Sequence, residues 1–340
     1  MFFRNLLIYP VDPASVQLTQ PEFEAALASQ RAKPCPPNQP SSYGFVPPVG
    51  KGDDALLSHM VEGIVLLKAQ KEERIIPTSV IRDMVNEKIE EIEVEEQRKV
   101  QRKERTELTD MVTTMLLPRA FIRRSFITAA IDPQKGYIYI NTPTPDVAEE
   151  LLSRLREALG GSMPPRTFQF KHNITDSLTQ WFRTQAPGHN IELGNQADLY
   201  NEGQGTVKVS DYDLGSEEIA KLLESGHRVS QVALDWDNKL TFNLNEKFQL
   251  KRLRFSDLMQ EQAAQDAGED EDGEHDASLL LMVRSFGDML TDLFAALGGM
   301  ELHTPIIAKA GGEDEQTPGY TSPDPEPQTV EQETEAEAAY

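Results

Sequence analysis

The chain has 340 residues but only one cysteine and two tryptophans, and no apolar run comes near the ~20 residues a membrane-spanning helix needs. The lone Cys35, set between Pro34 and Pro36, excludes an internal disulfide and leaves no Cys-x-x-Cys pair for zinc or redox chemistry. The six histidines (His59, His172, His189, His227, His275 and His303) show no metal-ligand spacing. No Gly-x-Ser-x-Gly elbow occurs. The stretch from Gly44 to Gly52 fails as a phosphate loop. It puts five residues between Gly44 and Gly50, has Pro47 and Pro48 where N–H donors are needed, and runs into Asp53 and Asp54, which would repel phosphates. Residues 1–9 lack the basic start, long apolar region and small-residue cleavage site of a secretory signal. These absences lead to the expectation of a cytoplasmic protein with no membrane contact, no metal and no cofactor. The sequon Asn173-Ile174-Thr175 then reads as helix-entry chemistry.

Basic charge is also scarce. There are 33 Lys/Arg against 56 Asp/Glu, a net charge of −23, so a histone-like polycation is excluded. The deficit is uneven, because residues 261–340 hold 20 acids against Arg284 and Lys309, a balance of −18, while residues 1–260 stand at −5. Within that nearly balanced body, residues 83–97 carry seven acids and one lysine, and residues 98–124 carry eight bases and three acids. A basic patch kept in an acidic chain points to an anion, and phosphate is the first candidate.

The pattern along the chain is α+β: an elongated, multi-part chain with antiparallel sheets. Residues 2–9 and 63–68 read as strands, 21–31 as a helix and 34–48 as a proline-studded loop. From Pro77, apolar residues recur at three and four (Val80, Ile81, Met84, Val85, Ile89, Ile92), then again from Leu108 to Leu116. The gap between them fits two helices forming a projecting hairpin, since its tip has little core to face. Strands at 126–131 and 136–140, a helix at 145–159, and helices near 175–183 and 216–224 with a loop rich in Gly and Asn between them follow. A meander over 228–236, 239–244 and 249–255 closes this part. The parts expected are therefore 1–76, the hairpin 77–120, and 121–260 with the meander. After them come an acidic linker 261–277, an amphipathic helix 278–302 and a disordered acidic tail 303–340.

The candidate phosphate-binding residues are Arg98, Lys99, Arg102, Lys103 and Arg105 near the hairpin tip, Arg119, Arg123 and Arg124 after the Pro118 break, Lys208, and Lys251, Arg252 and Arg254. Each group has a plainer reading as a solvated face, and Glu104 and Glu107 offer the first group helical partners. Arg252 and Arg254, two apart on a strand, should share one face, with Leu253 and Phe255 on the other. No zinc finger, RNP motif or basic zipper is present, so any DNA contact is expected to be sequence-independent and salt-sensitive. Carboxylates such as Asp235 are read as solvated, so the chain is expected not to be an enzyme; a nuclease would need carboxylates that hold Mg²⁺. The reading from another class is a protein-interaction scaffold, built on the charged hairpin and the helix 278–297.

Several stretches taken in order resemble one family. They are Phe3-Arg4-Asn5-Leu6, Gly44-Phe45-Val46-Pro47-Pro48, Lys71-Glu72-Glu73-Arg74-Ile75-Ile76-Pro77 and Leu116-Leu117-Pro118-Arg119-Ala120-Phe121. To these are added Leu234-Asp235-Trp236, Leu250-Lys251-Arg252-Leu253-Arg254-Phe255 and Ala296-Leu297-Gly298-Gly299. From residue 1 to about residue 299 the chain resembles RdgC, the bacterial recombination-associated family. The resemblance implies a ring-shaped homodimer whose basic hole encircles duplex DNA, with single strands left open, a nucleoid-associated location and restraint of RecA-dependent recombination. It also implies that Phe121 anchors one dimer contact, where the plainer reading is core filling. The segment Val209-Ser210-Asp211-Tyr212-Asp213 departs from the basic residues the resemblance leads one to expect, which bears on the second dimer contact and on DNA affinity.

Overall fold

The computed structural model describes residues 2–300 apart from 51, 53, 162, 164–165 and 268–270, together with 304 and 305. The chain divides into two units, Met1–Ile306 and Ile307–Tyr340, and the second lies outside the described residues.

The first unit is α+β. It begins with β1 (Asn5–Pro10), α1 (Pro13–Val16), α2 (Gln20–Ala28), β2 (Ser41–Val46), β3 (Ser58–Val61) and β4 (Ile64–Ile75). Then come α3 (Thr78–Glu96), α4 (Arg102–Leu116), β5 (Phe121–Asp132), β6 (Tyr137–Ile140), α5 (Pro145–Ala158), β7 (Arg166–Thr167) and α6 (Ile174–Thr184). The remainder is β8 (Ile191–Asn201), β9 (Gly205–Ser210), α7 (Glu217–Glu224), β10 (Arg228–Trp236), β11 (Leu240–Asn245), β12 (Leu250–Phe255), α8 (Asp257–Ala267), α9 (Glu271–Ala296) and β13 (Thr304–Pro305).

Eleven strands form one sheet in the order β2-β4-β5-β6-β1-β12-β11-β10-β8-β9, with β3 also paired to β4. Every strand pairing in it is antiparallel. β1 joins its halves, since Asn5 and Leu6 pair with Lys251 and Leu250, and Leu7 to Pro10 pair with Ile140 to Tyr137.

Alternation along β1 sends Leu6 and Ile8 to one core and Leu7 to another. The first half of the sheet is thus buried on both faces. This explains why Ile64-Val65-Leu66-Leu67 and Ile138-Tyr139-Ile140 are unbroken apolar runs. α2 and α5 cover one face through Phe23, Leu27, Leu151 and Leu155. α9 covers the other with Leu279, Met282, Val283, Phe286, Met289, Leu290, Leu293 and Leu297, each at most 2% exposed. At full burial each such side chain contributes roughly 1.5–3 kcal/mol. The apolar face of the helix 278–297 therefore packs on its own chain, so that face is not the docking surface the scaffold reading gave it.

α3 and α4 pack on each other around Val85, Leu108 and Val112, a third and much smaller core. They join the body through β4 and β5, which pair over eleven residues from Val65–Ile131 to Ile75–Phe121. In β5 the last six residues are buried and the first six exposed.

Four expectations need correction. Residues 41–46 are not loop but strand β2, paired with β4. Gly44 is required there because a Cβ would stand 2.4 Å from the Ala32 backbone that crosses it. The Gly- and Asn-rich stretch after α6 is the hairpin β8–β9, turned at Gly205 with φ +88°. The acidic stretch 261–277 is not a linker: 261–267 continue α8 and 271–277 open α9. Ala263 and Met259 are buried and Asp276 is bonded to His59 at 2.6 Å. Glu, Gln and Ala are strong helix formers, so polarity alone misleads there. Finally, Thr304 and Pro305 pair with β7, while the rest of the expected tail 303–340 lies outside the described residues. The sequon at Asn173 is helix-entry chemistry as read, with Asn173 Oδ1 accepting from Thr175 N at 2.8 Å.

One buried carboxylate fastens the proline loop to the β4–β5 ribbon. Glu72, 3% exposed, accepts from Cys35 N at 2.8 Å, Arg124 Nε at 2.8 Å and Gln70 Nε2 at 3.2 Å. The Cys35 amide, then Arg124, holds its carboxyl below the usual glutamate range. A depressed folded pKa gives stability that is present above the unfolded value and lost as pH falls through the folded one. Glu72→Gln is expected to cost about 1–3 kcal/mol at pH 7, with the gap to the native chain narrowing in acid. Guanidinium melts across pH 3–7 check it, and a gap independent of pH counts against this assignment.

Candidate nucleic-acid interface

The bases read from the sequence fall into two classes. Arg98 is neutralised where it stands, bonded to Glu96 at 2.5 Å and to both Glu104 oxygens at 2.7 and 2.8 Å. Glu104, then Glu96, raises its pKa further. Arg123 pairs across the ribbon with Glu73 at 2.7 Å and Arg124 with Glu72 at 2.8 Å. Lys208 reaches Asp198 at 3.0 Å, and Lys103 stands 4.0 Å from Glu107 one turn on. In register, Glu73 lies opposite Arg123 and Glu72 opposite Arg124, which is why strand pairing cancels these charges.

Among the described residues, Lys99, Arg102, Arg105, Arg119, Lys251, Arg252 and Arg254 have no ion pair. Arg105 bonds Asn86 at 3.2 Å. Lys99 and Arg102 flank the turn between α3 and α4, and Arg119 lies in the 3-10 turn Leu117–Arg119 that leads into β5.

β12 holds the densest group. Leu253 and Phe255 are buried, and Arg252 and Arg254 are exposed, as alternation requires. Leu250 is also fully buried although it is three residues from Leu253, which a regular strand forbids. A β-bulge resolves this. Asn243 pairs with Lys251 and Thr241 with Arg254, so β12 spends one residue more than β11, and Arg252 takes φ +55°. The bulge brings Lys251 to the side of the sheet that holds Arg254, since both pair with same-face residues of β11. Arg252 and Arg254 line a hollow of about 240 Å³ with Asn195, Gln196, Asp235 and Asn243. Arg252 meets Gln196 Oε1 at 3.4 Å, and Asp235 Oδ1 is occupied by Asn238 N at 2.9 Å.

Two bases escaped the sequence reading. Lys247 opens the run that contains Lys251, Arg252 and Arg254. Arg4, whose carbonyl accepts from Leu253 N at 2.8 Å, is exposed beside β12. A lone arginine 248 positions from its neighbour leaves no local signal, whereas Lys247 could have been found from spacing.

Phe121 is 87% exposed, which removes the core-filling reading for the single chain. It pairs in register with Ile75, itself 42% exposed, so the outer end of the ribbon presents an apolar spot. Phe126, further in, is covered by the Lys68 ammonium at 5.1 Å.

The family model described as "Putative exonuclease, RdgC" matches residues 1–300. The chain belongs to the RdgC family. Its relatives include the recombination-associated protein RdgC of Pseudomonas aeruginosa, 46% identical over 304 residues that make up 89% of this chain and 99% of that one. The protein of the same name from Pseudomonas syringae pv. tomato is 45% identical over the same shares. That from Pseudomonas fluorescens is 45% identical over 309 residues, 88% of this chain and 98% of that one. The two descriptions diverge, one naming an exonuclease and the other recombination. Among the described residues no group of three or more His, Cys, Asp or Glu is placed to hold a metal ion.

The bulge yields a stability prediction. A non-glycine residue in the left-handed region costs roughly 1–2 kcal/mol. Arg252→Gly is therefore expected to leave the melting temperature unchanged or raise it while removing a surface charge. A thermal melt that drops by several degrees would mean that Arg252 holds the bulge through its side chain.

Proposed function

We propose that this RdgC-family chain binds duplex DNA through its phosphates, without reading sequence and without cutting it, and that it acts in recombination by occupying DNA that a RecA-type filament requires. The observation that carries this reading is the bulged strand β12, which holds Lys251, Arg252 and Arg254 with no ion pair in a chain of net charge −23. Unpaired cations kept on one sheet surface favour an anionic ligand, and no element offers a base-reading motif.

In the same reading two copies close into a ring, with α3–α4 as a projecting hairpin. Phe121 is the anchor of one contact: a large exposed ring at a two-fold contact buries apolar area on both partners at once. Among the described residues β9 pairs with β8 alone, so its other edge offers backbone N–H and C=O groups to a second contact. Its end, Ser210 to Asp213, carries Asp211 and Asp213 in place of bases. This part of the ring therefore contributes shape more than phosphate affinity.

Fluorescence anisotropy of a random-sequence duplex tests the DNA contact. Affinity should fall steeply and linearly in log–log with salt, and Arg254→Ala should weaken binding evenly across sequences and reduce the salt slope by about one ion. A shallow slope, or shortening of end-labelled duplex when Mg²⁺ is added, overturns the reading. For the dimer, Phe121→Ser should shift sedimentation toward monomer while changing stability by no more than about 0.5 kcal/mol, because the ring is exposed in one chain. A dimer that persists and melts earlier would refute the anchor.

A further inference from the structure

The hollow that Arg252 and Arg254 line is built into the sheet by its backbone. Between the pairs Val232–Ala197 and Leu234–Leu193, the single residue Ala233 of β10 stands against three residues of β8, Gly194, Asn195 and Gln196. All four line the hollow, where Gly194 contributes no side chain and Ala233 a single methyl, so the space between the strands stays open. Asp235 of β10 and Asn243 of β11 complete the wall. Asn243 is only 7% exposed, and among the described residues its amide has no hydrogen-bond partner. Asp235 uses Oδ1 on Asn238 N at 2.9 Å, and among the described residues its Oδ2 has none either. A buried amide without a partner is costly, so its place in the wall of a hollow favours an occupant that can bond it. Lys251 is the register partner of Asn243, which sets a third base beside the same opening.

We propose that this hollow takes one unpaired nucleobase of a DNA whose phosphates lie on Lys251, Arg252 and Arg254. The inference deepens the DNA-binding reading above and rests on it. At about 240 Å³ the space suits a single flat ring system and falls below the roughly 300–1,000 Å³ of a hollow that takes a whole small-molecule ligand. A phosphate is the poorer occupant, because the Asp235 carboxylate repels it. The pairing edge of every base carries both a donor and an acceptor, which complement Asp235 Oδ2 and the Asn243 amide. The site is therefore indifferent to sequence. Arginine planes stack on splayed-out bases, and two of them line this hollow. A paired base must first leave its partner and its stack, a cost that is least where the base is extra or mismatched. Perfect duplex is thus held by its phosphates alone, and interrupted duplex by its phosphates and one base.

The test titrates the full chain into two labelled duplexes of the same sequence, one perfectly paired and one with an extra 2-aminopurine in one strand. The native chain should bind the interrupted duplex about tenfold more tightly and shield its 2-aminopurine from quenching by acrylamide. Ala233→Leu fills the hollow without removing a charge, so it should keep the affinity for perfect duplex and lose both the preference and the shielding. Asn243→Leu, of similar size, should lose them too, and it serves where a thermal melt shows that Ala233→Leu does not fold. Equal, tight binding of both duplexes by the native chain would overturn this inference and leave the DNA reading standing. A preference without shielding would mean that the chain favours the flexibility of the interrupted duplex, and shielding that survives both variants would place the base elsewhere; either result overturns the hollow. No binding of either duplex would overturn the DNA reading, and this inference with it.

Discussion

The structure depends on the division of β1 between two neighbours. Its first two residues complete the ladder of β12 and its next four that of β6, so one strand of six residues turns two half-sheets into one. Each neighbour of β1 would otherwise present an open edge inside the molecule, where unpaired N–H and C=O groups are costly. The pairing of Asn5 with Lys251 spans 246 positions, and contacts so distant in sequence form slowly because loop closure precedes any gain. The basic strand is consequently held in place by the N-terminus.

Electrostatics sorts the basic residues by what lies across from them. Arg123 and Arg124 face Glu73 and Glu72 in register and serve the ribbon, and Arg98 is chelated by Glu96 and Glu104. β12 differs because its neighbour β11 offers Thr241 and Asn243, which are uncharged, so the cations of β12 are not paired across the ladder. The bulge at Arg252 adds to this by bringing Lys251 and Arg254 to one side of the sheet. Backbone strain of this kind persists only where surrounding structure enforces it. Here Leu250 and Leu253 do so by both reaching the core.

Much of this was legible in the sequence where periodicity is strong. The meander, the helices α3 and α4 and the amphipathic helix ending at Gly298-Gly299 all stand where their patterns put them. β2 escaped because its prolines lie just outside the strand while the β4 residues it pairs with lie 22 to 32 positions away, and β8–β9 because glycine and asparagine obscured a hairpin. The opening turns of α9 escaped because their acids face solvent, so helix formation there draws on propensity and on the His59–Asp276 contact, which no local pattern announces. Of the candidate interface, alternation identified Arg252 and Arg254. It could not foresee the bulge that adds Lys251, nor the cross-strand carboxylates that silence Arg123 and Arg124.

The separate small core of α3 and α4 has a consequence for how the molecule comes apart. Val85, Leu108 and Val112 touch neither large core, and the outer half of β5 that leads to them is exposed. Three buried residues store little free energy beside the dozens in the body, so this element opens and recloses on its own while the sheet stays intact. In hydrogen exchange it would appear as a distinct, early-opening unit, its amides losing protection well before those of β1, β4 and β6.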